Sequence, residues 1–87
     1  MADLILKAER MTAPKIENVH ASVGAKIKLI REALGWTQGD LAEKVGLART
    51  SITNIELGNQ RMLLDDVERF AAAFQSTPKQ LLKGIWF

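Results

Sequence analysis

From residue 22 onward the apolar residues return at intervals of three and four, the pattern of helices with one face turned to a core. Val23, Ile27, Ile30 and Leu34 share such a face and predict a helix over Ser22–Leu34, with Ser22 as its cap and Gly35 as its stop. A second helix is predicted to open at Thr37. Thr37 and Asp40 have the spacing of a capping box, Leu41, Ala42 and Val45 face inward, and Gly46 ends the helix after barely two turns. The third runs from near Ala48 to Leu57, with Ile52, Ile55 and Glu56 inward and Gly58 as its stop. A fourth covers Leu64 to Gln75 on a stripe of Val67, Phe70, Ala71 and Phe74. The fifth opens on Thr77-Pro78-Lys79-Gln80, which combines a capping threonine, a proline in the first turn and a glutamine that completes a capping box, and Leu81 and Leu82 pack back.

The expected fold class is therefore all-α: a compact bundle of five short helices with a central helix-turn-helix. Gly46-Leu47-Ala48 is too short a connector to let the second and third helices lie antiparallel, so they cross steeply. Three segments follow: an N-terminal segment 1–21, flexible or partner-binding; a helix-turn-helix domain 22–83; and an apolar tail 84–87. In the first segment Leu4, Ile5, Ala8 and Met11 fit a short amphipathic helix before Pro14. Leu4-Ile5-Leu6 fits equally a strand added to a partner, and a disordered leader is the third option.

Composition narrows the chemistry. The chain of 87 residues contains no Cys and a single His, so disulfides, thiolate metal sites and a histidine metal cluster are excluded. His20 itself reads as a solvated linker residue. No paired carboxylates, nucleophile with a base or phosphate-cradling loop is visible, so an enzyme is not expected, nor a cofactor or bound metal. No apolar run approaches the roughly 20 residues of a membrane span, and the first residues lack the cationic start of a signal peptide, which makes the cytoplasm the expected location. The net charge of +2 permits nucleic-acid binding without requiring it.

The outward face of the third helix carries the candidate chemistry. Arg49, Thr50, Thr53 and Asn54 line up there, and their side chains suit base edges. Arg can bond guanine O6 and N7 together, Asn can bond adenine N6 and N7, and Thr can meet the thymine methyl. Any exposed helix can carry these residue types, so this face alone decides nothing.

The surrounding pattern does decide. Gly24-Ala25-Lys26-Ile27-Lys28-Leu29-Ile30-Arg31-Glu32-Ala33-Leu34-Gly35-Trp36-Thr37-Gln38, then Leu41-Ala42-Glu43-Lys44-Val45-Gly46, then Ser51-Ile52-Thr53-Asn54-Ile55-Glu56-Leu57-Gly58 resembles the Cro/CI (XRE) family of lambda-repressor-like DNA-binding domains over residues 22–83. The resemblance implies DNA contacts at Gln38, Arg49, Thr50, Ser51, Thr53, Asn54, Asn59 and Arg61. Within these, Gln38 touches phosphate and buttresses a base-reading residue, and Asn59, Gln60 and Arg61 form a loop along the phosphates. It also implies an internal ion pair between Arg31 and Glu56, and a core-edge place for Trp36. Ala48 and Leu63 depart from the family by standing where capping side chains are usual, Leu47 packing being the expected substitute at the third helix. Gly39 is a poor helix former, and Gln75 and Ser76 replace a usual Gly and apolar residue.

The expected function is a sequence-specific double-stranded DNA-binding transcriptional regulator, a repressor or autoregulator that binds a near-palindromic operator as a homodimer. Leu82, Ile85, Trp86 and Phe87 are the expected dimer contact, with folding back onto the monomer's own core as the competing use of this apolar end. The alternative is an antitoxin that binds a toxin protein through the N-terminal segment or the tail and regulates its own promoter.

Overall fold

The computed structural model describes residues 16–85. Among these residues it contains five helices and no strand: α1 (Ile16–Ala33), α2 (Gln38–Val45), α3 (Arg49–Glu56), α4 (Leu64–Ala73) and α5 (Pro78–Leu82). The core is one cluster in which Ile27, Leu41, Ile52, Ile55, Phe70 and Leu81 are almost completely buried. α1 packs across α3 and α5, α2 packs on α3 and α4, and α4 packs on α5. The expected all-α bundle is the fold observed. No described helix is long and apolar enough to cross a membrane.

The first helix departs from the sequence reading. It starts at Ile16, six residues before the expected cap, so Ser22 is an exposed position inside the helix. Val19 extends the stripe of Val23 and Ile27 by one more turn and packs against the core, and this burial outweighs the capping preference of a serine. His20 is accordingly half-buried on α1 instead of lying in a linker. At the other end Leu34 is 48% exposed, because the chain has already left the helix there and the stripe stops at Ile30.

The shorter helices follow their local signals. Thr37 and Asp40 form the reciprocal capping box, the Asp40 N–H donating to Thr37 Oγ1 at 3.0 Å and the Thr37 N–H to Asp40 Oδ2 at 2.9 Å. Gly46 closes α2 with a left-handed φ of 72°. At α5 half of the expected box is present: Thr77 Oγ1 accepts from the Gln80 N–H at 3.2 Å, and Pro78 opens the helix. Leu63 offers no capping oxygen, but Asp66 Oδ2 accepts the Leu63 N–H at 3.1 Å. α4 ends in a Schellman arrangement, with Ser76 N–H bonded to Ala71 O at 2.8 Å and Gln75 N–H to Ala72 O at 3.0 Å. Gln75 takes φ 55°, a conformation otherwise held by glycines among the described residues.

Gly24 sets how closely α1 and α3 approach. A Cβ at Gly24 would collide with the Ile55 carbonyl oxygen and stand 3.2 Å from Glu56 Cα. Gly58, at φ 77°, repeats this contact one turn away, where a Cβ would lie 2.8 Å from Ala21 Cα. Two predictions follow from these backbones. Gly24→Ala forces α1 off α3 and is expected to destabilise the fold by about 3 kcal/mol or more, read as a lower urea midpoint. Gln75→Gly removes the left-handed strain and is expected to raise that midpoint, by about 0.5–1 kcal/mol after the entropy of the unfolded glycine is subtracted.

Candidate nucleic-acid interface

The interface is built on a turn held from inside. Arg31, on the last turn of α1, donates from Nε to Glu56 Oε2 at 2.6 Å and from Nη2 to Oε1 at 3.0 Å, a bidentate pair. Its third donor, Nη1, reaches the Trp36 carbonyl at 2.8 Å. Both side chains are almost out of solvent, with 10% and 2% exposure. The pair implied by the family resemblance is therefore present and ties α1 to α3 and to the α1–α2 turn. Burial pushes the Glu56 carboxyl up, but the hydrogen bonds from Arg31 and Gln38 and the charge of Arg31 more than offset it, and the net direction is below the ordinary Glu value. The hydrogen bond to Glu56 in turn raises Arg31, against its own burial.

Gln38 carries the linkage to the surface. Its Nε2 donates to Glu56 Oε1 at 3.0 Å, and its Oε1 accepts from Thr53 Oγ1 at 2.8 Å. The same hydroxyl lies 3.2 Å from the Arg49 carbonyl. A continuous chain of hydrogen bonds thus runs from Arg31 through Glu56 and Gln38 to Thr53, joining α1, α2 and α3. The Gln38 amide is oriented by it, which leaves one N–H free for an external acceptor.

Around this anchor the remaining candidates lie on one side of α3 and the loop after it. Arg49, Thr50 and Asn54 are exposed, Ser51 and Thr53 are half-buried, and Asn59 and Arg61 are exposed in the loop. Among the described residues the side chains of Arg49, Thr50, Ser51, Asn54, Asn59 and Arg61 make no hydrogen bond or salt bridge, so their donors are available. Ala48, at the cap position of α3, supplies no side-chain acceptor, and the Ser51 N–H is taken by the Ala48 carbonyl at 3.0 Å instead. Leu47 is half-buried against the core and secures the entry to the helix by packing, as expected. Leu57, 64% exposed at the end of α3, borders this face and was not among the expected contacts.

Trp36 is half-buried at the core edge. Its ring stacks on Phe74 at 5.9 Å, and Lys44 Nζ stands 4.5 Å above it. Leu82 and Ile85 are half-buried against the monomer's own core, while Trp86 and Phe87 lie outside the described residues.

Comparison with known proteins decides the family. A model described as "Helix-turn-helix" matches residues 27–81, which takes in most of the described chain. The chain belongs to the Cro/CI (XRE) type of this helix-turn-helix family. It is 32% identical over 69 residues to a hypothetical transcription factor of Neisseria meningitidis, covering 79% of this chain and 65% of that protein. The crystal structure of that Neisseria factor superposes with a TM-score of 0.71 over 79% of each chain. Control protein C.BamHI of Bacillus amyloliquefaciens is 35% identical over 66 residues, 75% of this chain and 82% of the relative. Antitoxin HipB of Escherichia coli K12 is 47% identical over a shorter stretch of 30 residues, 34% of each chain. The matched region spans just under two thirds of the Neisseria factor's length.

Removal of Arg31 leaves Glu56 buried and unpaired, so Arg31→Ala is expected to cost about 3–5 kcal/mol. The depressed Glu56 value means that the pair's contribution is complete above the ordinary carboxylate range and is lost as pH falls through the lowered value. Urea unfolding from neutral pH to about pH 3 should show a steep acid loss that Glu56→Gln, already weaker at neutral pH, makes shallower.

Proposed function

We propose that this chain is a sequence-specific double-stranded DNA-binding transcriptional regulator, a repressor or autoregulator that acts on a near-palindromic operator as a homodimer. The observation that carries the reading is the outward face of α3, where unpartnered Arg49, Thr50 and Asn54 stand beside a Thr53–Gln38 hydrogen bond anchored on Glu56. In this reading α3 enters the major groove, Arg49 and Asn54 form bidentate contacts with bases, and Thr50, Ser51 and Thr53 add hydroxyl or methyl contacts. Gln38 places its free N–H on a phosphate, and Asn59 and Arg61 follow the backbone beyond α3. Two α3 helices one helical turn apart require a two-fold dimer, for which Leu82, Ile85, Trp86 and Phe87 are the proposed contact. The Neisseria relative is named a hypothetical transcription factor and the Bacillus relative a control protein, which supports a regulatory role.

The local similarity to HipB supports a second reading, an antitoxin that also binds a toxin protein. Co-purification of the product of an adjacent gene would favour it.

Titration of the chain into DNA from its own upstream region, beside a scrambled duplex, tests the first reading. The Arg49→Ala/Asn54→Ala double variant should lose roughly 30-fold or more on the native duplex, since each bidentate contact contributes about 1–3 kcal/mol. Arg61→Ala should weaken both duplexes alike and reduce the salt slope by about 1. Equal binding of both duplexes, unchanged in the double variant, would remove base reading by α3.

A further inference from the structure

The face of α3 proposed to read bases does not end at Asn54. Leu57 lies about 10 Å beyond Thr50 along the helix axis and within about 20° of it around that axis. It follows Asn54 by three residues and Thr53 by four, so it continues the stripe that those side chains form. Although Leu57 is the C-terminal cap of α3, its backbone is still helical at φ −81° and ψ −8°, and its N–H donates to the Thr53 carbonyl at 3.1 Å. The side-chain direction of the helix therefore holds as far as this residue.

Its chemistry differs from that of its neighbours. Thr50, Thr53 and Asn54 precede it and the Asn59–Arg61 loop follows, all polar, whereas Leu57 is apolar and 64% exposed. Among the described residues it is neither in the core cluster nor packed against it. A surface that meets Thr50 and Asn54 on this rigid helix also meets Leu57. Leucine pressed against a phosphate, or against the polar edge of a base, strips water from that group without replacing its hydrogen bonds. The bases offer an apolar group of matching kind in the major groove, the C5-methyl of thymine.

We propose that Leu57 is a specificity-determining residue that packs on a thymine C5-methyl at the end of the half-site read by α3. The inference rests on the base reading proposed for α3 and adds to it a position read without a hydrogen bond. Thymine is favoured there by contact. Cytosine is rejected, because its N4 amine would be covered with no acceptor.

Deoxyuridine tests this, since it keeps the hydrogen-bonding edge of thymine and lacks only the methyl. Each thymine of the bound upstream duplex is replaced in turn, and Kd is measured for the parent chain, Leu57→Ala and Leu57→Met. The ratio between thymine and deoxyuridine duplexes is read within each variant, so any loss of folded protein cancels. One replacement in each half-site is expected to weaken the parent about fourfold, the worth of one buried methylene. That replacement should leave Leu57→Ala unaffected, while Leu57→Met, which keeps an apolar end, should retain the dependence. The proposal is overturned if no methyl matters, or if every methyl that matters does so equally in the parent and Leu57→Ala. With the native duplex still preferred to the scrambled one, base reading by α3 would survive that result and only the Leu57 contact would fall. Loss of that preference in the parent chain would remove both.

Discussion

The Arg31–Glu56 pair is the constraint on which the rest of this structure depends. One guanidinium holds three elements at once: Glu56 on α3, the Trp36 carbonyl in the α1–α2 turn, and its own helix α1. Each charge is buried, so neither is tolerable without the other. The pair therefore contributes more to the relative placement of the helices than to raw stability, for which an apolar pair of the same volume would serve as well. Gln38 then extends the fixed geometry by one residue to Thr53 at the surface.

This arrangement separates two kinds of polar residue that look alike along the chain. Glu56, Gln38 and Thr53 use their polar atoms on one another. Arg49, Thr50 and Asn54, which share a helix with Thr53 and Glu56, spend theirs on no other described residue. The base reading proposed for α3 depends on that division, because free donors discriminate between bases only when the backbone carrying them is held still. The oriented Gln38 amide is where the two sets meet.

The same economy appears in the packing. A domain this small has little apolar area to spare, and it compensates with a close approach of α1 to α3 at Gly24 and Gly58. Exact helix ends matter for the same reason. The Thr37–Asp40 box, the Asp66 carboxylate under the Leu63 N–H and the Schellman turn at Gln75 satisfy backbone groups that short helices would otherwise leave open.

The sequence by itself determined the number and order of the described helices, the glycine stops after α1, α2 and α3, the Thr37 box, the inward Leu41, Val45, Ile52, Ile55 and Phe70, and the family. All of these depend on spacing within one turn or on a pattern in register, so they are local and legible. The resemblance, not periodicity, supplied the Arg31–Glu56 pair, since nothing in the spacing of two residues 25 apart states that they touch. Only the tertiary structure decided that α1 reaches back to Ile16, that His20 is half-buried, that Leu34 leaves the core and that Gly24 must lack a side chain. Each depends on which face of α1 meets α3, α4 and α5, and burial against those partners overrides the capping preference of Ser22 and the periodicity at Leu34. The left-handed Gln75 has the same origin: packing of α4 and α5 sets the turn between them, and the residue there takes the conformation the turn requires.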